Sequence, residues 1–183
     1  MILITVGTEK FPFNRLMTWI ENLIAQNTIQ PKQEEIVIQY GTCTIIPKGV
    51  KSYSVLKETD FLSLVKKARL LIAHCGEGTI DLLALINKPF ILVPRSHRFQ
   101  EHVDDHQVEL AEQLAQQGIP IANCLEDLVS FLAEPFVAEF SVTPAEYYTQ
   151  ASFLLEEQFE TDLVRKELTE ELIGSVDLIP MFA

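Results

Sequence analysis

The sequence predicts an α/β fold: a doubly wound, mostly parallel sheet followed by a helical C-terminal extension. Three observations carry this. Short apolar runs rich in β-branched residues end at a glycine or a polar residue. Stretches with apolar residues at helical spacing lie between them, and the two kinds of segment alternate along most of the chain.

Taken in order, ILITV (2–6) ends at Gly7 and reads as a buried parallel strand. FPFNRLMTWIENLIAQ then sets Leu16, Ile20, Leu23 and Ile24 on one helix face. EIVIQY (35–40) is a second strand, ended by Gly41. After an irregular stretch to about Lys57, DFLSLVKKA opens a helix with Asp60 as its expected N-cap. ARLLIAH is a strand running into CGEGT, and TIDLLALIN is a helix starting at Thr79. KPFILVPR is the next strand, and EHVDDHQVELAEQLAQQG a long amphipathic helix closed by Gly118. IPIAN forms a last short strand and LEDLVSFLA a last helix. The body is therefore 1–133, and 134–183 is an acidic, mostly helical extension. Its helix is expected to open at Thr143-Pro144, with a stripe from Tyr147 to Leu168 that belongs against the body or a partner chain.

Charge is unevenly placed. Residues 1–125 carry 13 acids against 12 bases, whereas 126–183 carry 13 acids against Arg165 and Lys166 alone. A near-neutral body with an acidic tail offers no basic face for phosphate backbones, so nucleic acid is not an expected partner. Cys43, Cys75 and Cys124 are odd in number and form no CxxC, which points to reduced thiols in the cytoplasm. No apolar run approaches the roughly 18–20 residues of a membrane span, and MILITVGTEK lacks the basic leader of a secretory signal.

Ligands of open parallel sheets bind at the carboxyl ends of the strands. Three loops fall there. VGTEKF offers Gly7, which lets a ligand approach the backbone, and the Thr8 hydroxyl beside a helix start, although a glycine after a strand is more often plain turn chemistry. HCGEGT (74–79) has two glycines before a helix and suits an anion, although it is neither a Walker loop nor GxGxxG. RSHRFQEHVDDHQ (95–107) holds three of the four histidines. On a helix His102 and His106 would share a face as zinc ligands do, but HVDDH is not HExxH and no third ligand is fixed. A capped helix start without function is a second reading of this stretch. A polar ligand surface is the third, with Arg95, Arg98, Glu101, Asp104, Asp105, His106 and Gln107 supplying the mixed donors and acceptors that suit sugar hydroxyls. Cys75 beside His74 reads as a structural thiol.

Together TVGTEKFPFNRL, IAHCGEGTIDLLALINKPFILVPR and EHVDDHQVELAEQLAQQG resemble the glycosyltransferase family 28 C-terminal domain family over residues 1 to about 130. Within it the likeness is to small single-domain chains: the nucleotide-sugar-binding subunit of the eukaryotic dolichol-linked N-acetylglucosamine transferase and bacterial PssE-type exopolysaccharide subunits. EHVDDHQ is the most specific string.

The resemblance implies a Rossmann-like fold, the donor-binding half of a GT-B enzyme, that takes a UDP-sugar without a bound metal or other cofactor. Carried over, Gly7 and Thr8 lie near the diphosphate, as do Gly76, Gly78 and Thr79, and His74 matches the family histidine. Asp105, His106 and Gln107 face the sugar, with Arg95 and Glu101 shaping the loop. Two departures stand out. Leu82 occupies the place of a ribose-reading glutamate, with Asp81 just before it, and Phe99-Gln100 replaces a shorter, glycine-containing link. One lobe of a two-lobed enzyme implies a second subunit, membrane-associated, that brings a lipid-linked acceptor and the general base for inverting transfer and recruits this chain to the cytoplasmic face of the membrane. One rival reading is a non-catalytic enhancer subunit, and a second is a metal-dependent hydrolase built on His102 and His106.

Overall fold

Five parallel strands form one sheet in the order β3-β2-β1-β4-β5. The computed structural model describes residues 1–140, which fall in one compact unit, Met1–Ser141. The strands are β1 (Ile2–Thr5), β2 (Ile36–Gln39), β3 (Lys51–Tyr53), β4 (Leu70–His74) and β5 (Phe90–Val93). Between and after them run α1 (Asn14–Ala25), α2 (Glu58–Lys67), α3 (Glu77–Ala84), α4 (His106–Gln116) and α5 (Leu125–Ala133), with a 3-10 turn at His97–Phe99. The order of the crossovers reverses between β1 and β4. That reversal opens a crevice at their carboxyl ends, the place where doubly wound sheets take ligands.

The β1, β2 and β5 runs are buried along their whole length, as the apolar strings require, because helices cover both faces of the sheet. One core cluster packs α1 and α5 on Ile2, Ile4, Ile38, Ile72 and Ile91. The other packs α3 and α4 on Leu3, Val37, Leu71, Phe90 and Leu92. Helix α1 has no side-chain N-cap but buries Leu16, Met17, Ile20 and Leu23. At about 1.5–3 kcal/mol for each buried side chain, packing outweighs the roughly 1 kcal/mol a cap supplies. Past α5, Phe140 stacks on Phe90 with ring centroids 5.6 Å apart.

Several boundaries differ from the sequence reading. Helix α2 is capped at Lys57, and Asp60 sits inside its first turn, where a carboxylate complements the helix dipole. Helix α3 starts at Glu77, two residues before Thr79, with Gly76 as N-cap. IPIAN contributes only one bridge, Leu92 to Ile121, and KSY forms the short edge strand β3 that the pattern did not reveal. The largest change is in α4, which begins at His106, so residues 101–105 are not helical. Side-chain carboxylates there bond locally instead: His106 N–H donates to Asp104 Oδ1 at 3.2 Å, not to a carbonyl one turn back, and Asp105 Oδ1 is engaged by the His97 N–H of the 3-10 turn at 2.8 Å. The helix expected from Thr143 lies outside the described residues.

Candidate functional site

The first two loops meet at the crevice between β1 and β4. Gly7 has φ +72°, a conformation glycine adopts without penalty, and a Cβ placed on it would fall 2.5 Å from the His74 ring. A Cβ on Gly76 would meet the same ring, at Nε2 first and at Cδ2 2.9 Å away. The imidazole therefore fills the space that two missing side chains leave open, and Gly7 and Gly76 both lie against His74. Thr79 Oγ1 lies 3.4 Å from His74 Nδ1 and joins the group. Burial, with the nearby positive charge of Arg95, pushes the His74 imidazole down to about 3, so it is neutral at physiological pH and offers one N–H and one lone pair.

Two sequence-predicted residues stand apart from this contact. Thr8 is exposed on the loop after β1. Gly78, in the first turn of α3, has open space where its Cβ would be. Leu82 leans on the core cluster under α3, and Asp81 is the exposed carboxylate beside it.

The loop below Gly7 is set by a residue the sequence reading passed over. Gln39, at the end of β2 and buried, accepts from Thr5 Oγ1 at 2.7 Å and donates to Gly7 O at 2.9 Å and Ser54 O at 3.0 Å. A glutamine inside the otherwise apolar EIVIQY run was the available signal. Cys43 plays a similar part at the start of α1, where Phe13 N–H donates to its Sγ at 3.1 Å.

Arg95 and Glu101 turn inward. They are 1% and 2% exposed, so neither presents its head group on the surface of the polar stretch. The Arg95 guanidinium donates to Val6 O at 2.6 Å, Phe11 O at 2.7 Å and Glu101 O at 3.0 Å, and it stacks on the Phe13 ring at 4.8 Å. It thus ties the loop after β1 to the loop after β5. Glu101 is gripped by Arg15 of α1, with Nη2 at 2.8 Å and Nε at 3.0 Å, and Arg15 also donates to Pro94 O at 2.7 Å. An arginine in the first turn of an amphipathic helix, among Phe11, Phe13 and Trp19, was the sequence signal for this pair.

The remaining groups of EHVDDHQ divide by depth. Gln107 is buried and accepts from Arg95 N–H at 3.2 Å. Asp105 is exposed and holds the 3-10 turn through Ser96 Oγ (3.0 Å) and His97 N–H. His106 is open to solvent at the start of α4. His102 lies before that helix, and its Nδ1 sits 2.7 Å from Asp104, so the two histidines do not share a helix face as the metal reading needed. Burial raises the Asp104 carboxyl, but the His106 N–H and the His102 ring outweigh it and hold it below the usual range. Among the described residues no three His, Cys, Asp or Glu side chains are placed to share a metal ion. A cavity of about 400 Å³ opens beside Pro31, Ile36, Val50 and Lys51, at the amino ends of β2 and β3 and away from this chemistry.

Compared with known proteins, residues 1–152 match the glycosyltransferase family 28 C-terminal domain. The chain belongs to that family. A UDP-N-acetylglucosamine–N-acetylmuramyl-(pentapeptide) pyrophosphoryl-undecaprenol N-acetylglucosamine transferase of Cytophaga hutchinsonii is 28% identical over 112 residues, 58% of this chain and 30% of its own length. A UDP-N-acetylglucosamine transferase subunit of Cryptococcus neoformans is 31% identical over 119 residues, 63% of this chain and 51% of its own. These family 28 matches thus span about a third to a half of the relatives' length. The Rossmann-like sheet is that of the donor half of a GT-B enzyme. Among the described residues no helix is long and apolar enough to cross a membrane.

Proposed function

We propose that this chain is the donor-binding, catalytic subunit of a two-component glycosyltransferase that moves a sugar from a UDP-sugar to a lipid-linked acceptor. The observation that carries the reading is the contact of Gly7, His74 and Gly76 at the topological switch of the sheet. Two loops from neighbouring strands there leave backbone uncovered around a neutral imidazole, beside the amino end of α3. Free amides at a helix start and an uncharged N–H donor suit a diphosphate, and they stabilise it as a leaving group with no metal required. The relatives are named for UDP-N-acetylglucosamine transfer, which supports the nucleotide and the reaction class.

In this reading the acceptor hydroxyl attacks the anomeric carbon from the face opposite UDP. The bond from that carbon to the diphosphate oxygen breaks, and the configuration inverts. Asp105, His106 and Gln107 stand on the sugar side. The general base and the lipid-linked acceptor come with a membrane-associated partner, which draws the chain to the cytoplasmic face; synthesis of an exopolysaccharide or a related glycan is the setting. Titration of the full chain with UDP, with EDTA present, should show binding, and transfer should require the partner. Robust transfer by the isolated chain would sink the two-component reading.

The position of Leu82 favours one alternative, a non-catalytic enhancer subunit. An apolar residue packed on the core cannot read ribose hydroxyls. Absence of heat with UDP and with a panel of UDP-sugars would select the enhancer.

A further inference from the structure

Two arginines, Arg95 buried and Arg15 partly buried, hold the site, and they hold different parts of it. Arg95 bonds to both loops: Val6 O and Phe11 O on one side, Glu101 O on the other. Every hydrogen bond of the Arg15 side chain among the described residues goes to the loop after β5, to Pro94 O and to both carboxylate oxygens of Glu101. The Phe99 ring lies 4.9 Å from the Arg15 guanidinium and is itself half exposed, so Arg15 also fixes the turn that precedes EHVDDHQ. The next residue, Gln100, has φ +58°, in the left-handed region that favours glycine. A loop with such a residue relaxes to another path unless its neighbours hold it. The grip of Arg15 on Glu101 spans this position.

We infer that Arg15 is a positioning residue for recognition of the donor sugar, separate from recognition of the diphosphate. The inference rests on the donor-binding reading above. The diphosphate floor of Gly7, His74, Gly76 and Thr79 contains no group that Arg15 touches. The groups on the sugar side, from Asp105 to Gln107, begin four residues after Glu101, and Asp105 bonds back to Ser96 and His97 within the segment that Arg15 clamps. Loosening that segment shifts hydrogen-bonding groups by a fraction of an ångström to an ångström, enough to erase discrimination between hydroxyl epimers while the floor stays intact.

The test is calorimetric titration of the full chain with UDP, UDP-N-acetylglucosamine, UDP-glucose and UDP-galactose, for wild type, Arg15→Ala, Arg15→Lys and Glu101→Gln. The expected result is a UDP affinity within about twofold of wild type for the Arg15 variants, and a spread among the three sugars that collapses by about tenfold in Arg15→Ala. Arg15→Lys, which keeps the charge but loses the two-pronged grip, should fall between, as should Glu101→Gln. A thermal melt beside each titration identifies a variant that has unfolded, and the lysine and glutamine variants then carry the test. A fall in UDP affinity equal to the fall for the sugars would overturn the inference and assign Arg15 a general structural role. An unchanged spread, or wild type with no spread at all, would overturn it too while leaving the UDP reading in place. No UDP binding by wild type would remove both.

Discussion

Replacing Arg95 with methionine probes the joint between the two halves of the site. The methionine keeps an unbranched apolar stem over Phe13 and removes the guanidinium, leaving the carbonyls of Val6, Phe11 and Glu101 without their donor. An unsatisfied buried carbonyl costs about 1–3 kcal/mol, so three set an upper range of roughly 3–9 kcal/mol. Against this stands relief from burying a charge whose Nε has no partner, several kcal/mol for an ion of this size. Water reaching the loop carbonyls lowers the loss further. The net expectation is a destabilisation of about 2–4 kcal/mol. Urea unfolding followed by Trp19 fluorescence measures it: with a slope of about 2 kcal/mol per molar, the midpoint should fall by roughly 1–2 M. UDP affinity should fall as well, because Arg95 fixes the carbonyl immediately before Gly7. A variant as stable as wild type, or more so, would show that the loops hold themselves and that the buried guanidinium is a net burden.

Gly76→Ala places a methyl on the His74 ring without backbone strain, since φ at Gly76 is −100°. It should cost about 1–3 kcal/mol in a melt and weaken UDP binding by more than that change in stability explains. The His74 imidazole titrates near 3 when folded against 6.5 in the unfolded chain, so between those values the unfolded state binds more protons. Stability from this group is full above pH 6.5 and falls as pH drops toward 3, by at most about 1.4 kcal/mol per pH unit; His74→Gln should flatten that part of the urea-midpoint profile. Thr5→Val leaves Gln39 Oε1 without its donor and should destabilise by about 1–3 kcal/mol, seen as a lower melting temperature. Burial pushes the Cys75 thiol up to about 12, so it should resist iodoacetamide at pH 8 and react only after denaturant is added, as mass spectrometry would show.

The strands were legible because burial on both faces forces continuous β-branched runs, and Gly7 and Gly76 because each closes such a run. What the pattern could not show was the direction of polar side chains. Arg95 and Glu101 sit in a string that reads as solvated, yet both are sealed inside, where each bonds to a partner 84 or 86 residues distant in sequence. The same limit hid Gln39, whose partners lie on two other loops. Helix α4 was drawn too long because apolar spacing ignores competition. Asp104 and Asp105 fit a helical period, but Asp104 accepts from His106 N–H and Asp105 is engaged by the 3-10 turn, so the first turn starts at His106. Strand β3 escaped notice because its three residues are all exposed and carry no apolar alternation.

Both margins of the sheet limit further pairing. At one side β3 is only three residues long, exposed, and carries Lys51 in an ion pair with Glu35. At the other, the 119–122 segment covers β5, with Leu92 N–H donating to Pro120 O and Ala122 N–H to Leu92 O. Short, charged or covered edges give an incoming strand few free donors and acceptors to zip onto. Self-association by strand exchange, and capture of an extended peptide as a sixth strand, are therefore disfavoured, and a protein that docks on this domain is left with side chains and loops as its means of attachment.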